Sequence, residues 1–340
     1  MTDTVKTQNR QRIAWLAVLQ GFSMLLVVLG HISLSNTFRN PDYPLTAAME
    51  RVIYTFHMPL FIFISGWLFG LTCLGRDNSY RDVMAKKFRR LGLPFLFFTI
   101  AAIAIKLLLS AFVNRPVDGT ELLNTFVLFS SNPLYEMWFV IVLLVLMAFY
   151  PAYRFLLRHS ALVWLLCVSV ALYVALPVDT DVFQLRRAVR LLPYFIAGIL
   201  AWRYDIIDRY GSRWYVAAGA MVLFVIFNIL ETGADTLGFR CMDALCGFSG
   251  TVLSICLCIW ISNLRPTAFG SFSAYTFQIF LMGIFVQMAV RVLYGHLGTD
   301  SDAVYALLFA LSLALGIYVP VLIAKLIERK MPRLKKFFGL

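Results

Sequence analysis

The strongest constraint in this sequence is its succession of apolar runs. They lie near residues 13–34, 52–74, 93–112, 135–153, 161–177, 188–204, 214–231, 244–262, 270–293 and 303–325. Each is close to the roughly 17 to 25 residues that a helix needs to cross a bilayer. The runs lack the period-two alternation of barrel strands. In hydrocarbon, backbone N–H and C=O groups must be bonded within their own segment, which favours helices. The expected fold class is therefore all-α: a polytopic integral membrane bundle of about ten transmembrane helices. Composition points the same way, because 61% hydrophobic and 14% charged residues leave too little polar surface for a soluble globule of 340 residues. No polar stretch exceeds roughly 20 residues, so a single membrane-embedded domain over residues 1–340 is expected, with no internal repeat. The first run is too long for the core of a signal peptide and is not followed by a small-residue cleavage site, so it is expected to remain as the first span.

Charge orients the bundle. The net charge is +12, but the basic residues form no continuous domain, which argues against a nucleic-acid partner. They fall instead in every second loop: Lys6, Arg10 and Arg12; Arg76, Arg81, Lys86, Lys87, Arg89 and Arg90; Arg154 and Arg158; Arg203, Arg209 and Arg213; and the run from Lys325 to Lys336. Placing that set inside makes both termini cytoplasmic. The intervening loops, with Asp118, Glu121, Asp179, Asp181, Glu231 and Asp235, then lie outside. The six cysteines, Cys73, Cys167, Cys241, Cys246, Cys256 and Cys258, show no metal-ligand spacing and read as free, packed or lipid-buried thiols.

Ionisable groups inside spans are rare and usually functional. His31 is expected near the outer end of the first span and His57 near the outer start of the second, so the two imidazoles should share one depth. An imidazole can take a proton from a hydroxyl as it attacks a carbonyl, an effect worth about 10²- to 10⁴-fold. The plainer alternative is that each ring bonds a carbonyl on a neighbouring helix. His159 and His296 fall in expected loops. Arg186, Arg187 and Arg190 open the sixth span from outside, against the positive-inside tendency, and their i,i+3 and i,i+4 spacing gathers much of that charge on one face. That face could hold an anionic group or snorkel to lipid phosphates. Arg51, Lys106 and Glu136 could join it. The dense run Lys86-Lys87-Phe88-Arg89-Arg90 could grip cofactor phosphates or contact anionic lipid. Gly66 and Gly198 read as points of close helix approach. Pro59, Pro94 and Pro193 should kink or begin spans, and Trp138 should anchor at the interface.

The segments Leu25 to His31, Phe56-His57-Met58-Pro59-Leu60-Phe61 continuing to Ser65-Gly66-Trp67, Lys86 to Pro94 and Met137-Trp138-Phe139 resemble, in this order, the membrane-bound acyltransferase-3 family. Leu192 to Gly198 and Tyr275 to Leu281 look like its later segments. The resemblance implies a ten-span enzyme of the prokaryotic inner membrane. It would carry acyl groups, usually acetyl from cytosolic acetyl-CoA, onto hydroxyls of a surface polysaccharide or lipid-linked sugar. It makes His31 and His57 the catalytic candidates. Gln20, Lys86, Lys87, Arg89, Arg90, Arg187 and Arg190 are the candidate contacts to the acyl donor, and no metal is implied. The expected partners are the glycan acceptor and membrane lipids, with homo-oligomerisation left open. The chain departs from the family pattern at three places. Gln20 stands where the family carries a basic residue, Ala17 where some members carry aspartate, and Gly283 where a late span often ends in histidine. Gln20 can donate hydrogen bonds but offers no positive charge. A transporter or flippase, or a catalytically degenerate member of a glycan-export complex, is the competing reading.

Overall fold

The computed structural model describes residues 2–32, 44–108, 118–132, 134–176, 178–230, 236–297 and 301–340. Glu231, Asp235, the ends of the first and third expected spans, and the side chains of Lys6, Arg10 and Arg12 lie outside what is described. Every regular element among the described residues is helical. The chain divides into two compact units, Met1–Phe61 with Ile206–Pro332, and Ile62–Asp205 with Arg333–Leu340.

The first unit contains helix α1 (Thr2–Gly30) and most of α2 (Pro44–Phe69), which continues into the second unit. Three helices, α10 (Ile206–Tyr210), α11 (Trp214–Leu230) and α12 (Leu237–Leu264), follow the second unit in the chain. Then come α13 (Thr276–Leu297) and α14 (Asp302–Lys330). The start of α12 is capped by Thr236, whose hydroxyl accepts the Phe239 N–H at 3.1 Å. Helix α1 is the hub, packing against α12, α13 and α14. Its apolar face contributes Met24 and Val28 to a core completed by Phe272, Ile279, Ile317 and Val321. Two glycines set these approaches. A Cβ at Gly21 would lie 2.4 Å from the Cβ of Phe269, and one at Gly250 would lie 2.5 Å from the Cβ of Phe56.

The second unit holds the end of α2, α3 (Tyr80–Lys87), α4 (Leu93–Leu108) and α5 (Gly119–Phe126). It continues with α6 (Trp138–Ala148), α7 (Tyr150–Arg158), α8 (Leu162–Ala175) and α9 (Leu185–Arg203). Ser79 caps α3 and Asp118 caps α5 by accepting N–H bonds from Asp82 and Glu121. Helices α2 and α9 touch backbone to backbone through the two glycines singled out above. A Cβ at Gly66 would lie 2.1 Å from the carbonyl oxygen of Phe195, and one at Gly198 equally close to that of Phe63. Beside this contact, Phe69, Tyr153 and Phe195 form a buried aromatic block with ring centroids 5.5–6.4 Å apart. Two π-helical turns, Gly70–Leu74 and Phe88–Gly92, flank α3. Gly70 and Gly75 lie under the indole of Trp202, and Gly92 makes room for the ring of Phe88. The tail returns to α4, where Phe337 and Phe338 pack on Phe97 at 5.5 and 5.4 Å.

A helix is found at each of the ten expected span positions. Five are long and apolar enough to cross a bilayer among the described residues: Thr46–Leu74, Tyr80–Leu107, Leu237–Leu264, Ser273–Leu297 and Asp302–Lys330. A sixth is made if α6 and α7, bent by 45° at their junction, count as one broken span. Ala14–Gly30, Leu162–Ala175 and Trp214–Leu230 are apolar but shorter. Helix α9 carries Arg186, Arg187, Arg190 and Arg203, so its charge sets it apart from the apolar spans. Pro59, Pro193 and Pro320 lie inside helices, and Pro94 lies in the first turn of α4. The six cysteines are free thiols, four of them buried.

Replacing Gly66 or Gly198 by valine must push α2 and α9 apart, and overpacking of this kind costs about 1–3 kcal/mol or more. Thermal unfolding of detergent-purified protein should show both variants clearly destabilised. Gly219, with nothing near its would-be Cβ, should accept alanine without loss.

Candidate active site

The polar centre of the first unit is built where α1 ends against α2. His31 follows the last residue of α1 and is half-buried, whereas His57 lies inside α2 and is 1% exposed. Each ring bonds the carbonyl one turn back in its own chain: His31 Nδ1 to Val27 O and His57 Nδ1 to Ile53 O, both at 2.8 Å. This differs from the sequence alternative of a bond to a neighbouring helix. A carbonyl oxygen can only accept, so Nδ1 carries the proton in both rings and Nε2 is the basic nitrogen of the neutral imidazole. His296 makes the same local bond to Val292 on an exposed face, so the bond alone does not mark a site. What distinguishes the other two is a shared neighbour. The ring of Tyr54 lies 4.9 Å from that of His57, edge-on at 81°, and 6.0 Å from that of His31. Gly30 permits the approach, since its Cβ would sit 3.3 Å from Ile53 and 3.5 Å from Tyr54.

The end of α1 is held from α13. Gln287, buried, donates its side-chain N–H to Val28 O at 2.8 Å, and Arg291 donates to His31 O at 3.3 Å. Neither residue was singled out from the sequence. The signal was there, as two polar residues spaced i,i+4 within an apolar run. Gln20 is half-buried on α1. It stands eleven residues before His31, which is about 16 Å along the axis at 1.5 Å per residue. The two side chains therefore address different depths. Gly283, at the departure from the family histidine, is a contact between helices, its would-be Cβ 3.0 Å from Gly316 O.

In the second unit the expected arginine face is split. Arg186 is exposed and turns back to Asp179 and Asp181, 3.2 Å from each. Arg187 stacks on Trp138, its Cζ 4.9 Å from the ring centroid, and donates to Gln184 Oε1. Trp138, expected as an interface anchor, is thus the platform for a cation. Gln184 is 2% exposed and its amide donates to Phe129 O and Ser130 O, both at 2.9 Å. Phe129, Phe183 and Gln184 all hold positive φ near 50–55°. For non-glycine residues that is strained backbone, tolerated where surrounding bonds fix it. Arg190 is half-buried one turn further along α9. Lys106 is paired with Glu121 at 2.8 Å, so it does not stand as an uncommitted cation, and Arg51 is exposed.

In the basic run, Lys86, Arg89 and Arg90 are exposed. Lys87 is half-buried with its Nζ 5.6 Å over the ring of Phe69. Phe69 touches Phe195, and the adjoining Gly70 lies under Trp202. Trp202 is fifteen residues beyond Arg187, about 22 Å of helix. The lysine–arginine run and the Trp138–Arg187 stack therefore occupy opposite ends of α9.

The fold and the imidazole pair define a helical membrane protein with candidate acid–base groups at the end of its first helix and within its second. The chain belongs to the acyltransferase-3 family, whose acyltransferase domain matches residues 13–325. It is 29% identical over 184 residues to nodulation protein NolL of Sinorhizobium fredii (strain NBRC 101917 / NGR234), covering 53% of this chain and 46% of that protein. It is 24% identical over 227 residues to nodulation protein NolL of Mesorhizobium japonicum (strain LMG 29417 / CECT 9101 / MAFF 303099), covering 65% of this chain and 57% of that protein. The chain spans about half the length of these curated relatives. No solved structure matches.

Removing the amide of Gln184 leaves two carbonyls without their donor, at about 1–3 kcal/mol each if they stay dry. Gln184→Ala should lower the unfolding temperature markedly. Arg186→Ala, which deletes two exposed ion pairs each worth about 0–1 kcal/mol at most, should change it far less.

Proposed function

We propose that this protein is a membrane O-acyltransferase. It moves an acetyl or other acyl group from cytosolic acetyl-CoA to a hydroxyl of a surface or exported polysaccharide, or of a lipid-linked sugar. The supporting observation is the pair of imidazoles whose Nδ1–H groups are bonded to backbone, with Nε2 as the basic nitrogen, and whose rings share Tyr54 as a neighbour.

His31, the more accessible ring, is the general base. Its Nε2 takes the acceptor hydroxyl proton as that oxygen attacks the thioester carbonyl. The tetrahedral intermediate expels the CoA thiolate, which recovers the proton, giving an ester and free CoA. His57, almost wholly buried, acts through Tyr54 and orients the base. Lys86, Lys87, Arg89 and Arg90 are suited to the phosphates of the donor, since ammonium and guanidinium groups both pair with phosphoryl oxygens. In this reading the basic run faces the cytosol and the histidines lie towards the opposite face, in the inner membrane of a prokaryote. Arg187 and Arg190, at the other end of α9 from the basic run, would meet an anionic acceptor or lipid phosphate.

The test is the O-acetyl content of surface glycan, read by proton NMR. A deletion strain would be complemented with wild type, His31→Ala or His57→Ala. Loss of general-base catalysis should reduce acetylation by His31→Ala to a trace, given its worth of about 10²- to 10⁴-fold. His57→Ala should retain more. Wild-type acetylation by His31→Ala removes it from the mechanism.

A further inference from the structure

We infer that Gln287 and Arg291 are positioning residues for His31: together they clamp the end of α1 and so fix where its imidazole stands. The inference rests on the reading of His31 as the base.

A helix leaves its last carbonyls without intrahelical donors, and in an apolar setting each needs another partner. At the end of α1 backbone and side-chain donors share these acceptors. Val27 O, already met by the His31 backbone N–H at 3.2 Å, also takes the His31 ring at 2.8 Å, and Leu29 O takes the Ile32 N–H at 3.3 Å. Val28 O takes Gln287 at 2.8 Å beside a longer 3.3 Å bond from the His31 N–H, and His31 O takes Arg291 at 3.3 Å. The last two donors come from a single face of α13, one turn apart. They grip the carbonyls three residues before His31 and on His31 itself. The guanidinium also places a positive charge at a helix C-terminus, where the helix dipole favours it. Gly316 on α14 makes room for the arrangement, since its Cβ would lie 3.3 Å from both Gln287 Cγ and Val28 Cγ1. The ring of His31 depends on the same carbonyl ladder for its tautomer. A slip of the ladder would move the basic nitrogen and change its orientation together, and misplacement of a catalytic group by about 1 Å can reduce rate roughly 10²-fold.

The experiment uses full-length protein in detergent with ¹⁵N-labelled imidazoles; the chain holds four histidines, and His31→Ala assigns the His31 signals. Gln287→Met keeps the length and removes the donor, and Arg291→Gln removes the charge and shortens the reach. Gly316→Ala disturbs the Gln287 bond from α14 without deleting a donor, which covers the case that a direct variant fails to fold. The clamp predicts that the ring signals of His31 shift or broaden in each variant while those of His57 stay in place. It also predicts that kcat falls roughly tenfold to a hundredfold with KM for acetyl-CoA little changed, and that Arg291→Lys recovers part of the loss. His31 signals identical to wild type in every folded variant overturn the clamp, whatever the rates do. Shifted His31 signals with unchanged kcat uphold the clamp and instead remove His31 from the chemistry.

Discussion

An apolar surrounding offers a carbonyl oxygen at a helix end nothing to bond except protein donors, and the candidate site grows out of that constraint. Helix α1 stops at Gly30, in the middle of a packed unit and against α2, so its last carbonyls need side chains. Gln287 and Arg291 answer two of them, and the ring of His31 adds a second bond to Val27 O, which the His31 N–H already meets. In doing so it settles which nitrogen carries the proton. The bond that ties the ring to the helix end is also the bond that leaves Nε2 as the basic nitrogen. The ring of His57 bonds the carbonyl of Ile53 in the same way inside α2.

Close backbone packing holds each unit together. In the second unit Gly66 and Gly198 let α2 and α9 meet with carbonyl oxygens where a methyl would be. In the first, Gly21, Gly250 and Gly316 bring α1, α2, α12 and α14 to bear on their neighbours. Small residues serve membrane helices in this way because lipid supplies no hydrophobic drive for helices to associate, so van der Waals contact must do it. Polar groups are then placed with little slack. The reach of Gln287 to Val28 passes over Gly316, and the stack of Arg187 on Trp138 depends on the bonded, left-handed turn at Gln184.

The sequence revealed helices, their positions, the two histidines and Gly66 and Gly198 as points of close approach, though not that they meet each other, because each has a local signature: an apolar run, an ionisable residue within one, or a glycine in a helical stretch. It did not reveal Tyr54 as the common neighbour, since an aromatic at a span end reads as an interface residue. Gln287 and Arg291 went unremarked because their partners lie 259 and 260 residues away and nothing local announces such pairing. The arginine face failed for a related reason. Helical spacing puts Arg186 and Arg190 together, but Asp179 and Asp181 pull Arg186 back and Trp138 draws Arg187 aside. The family to which the chain belongs was legible through FHMPLF and the upstream Gly30-His31 pair, and its domain match covers nearly the whole chain.

The central claim is that His31 acts as the base of an acyl transfer. Its most direct test is the rate of CoA release from acetyl-CoA by purified protein, with glycan acceptor present, for wild type and His31→Gln. The account predicts acceptor-dependent CoA release by wild type, and a fall of about 10²-fold or more in the variant while acetyl-CoA still binds. Equal release by the two proteins would contradict it.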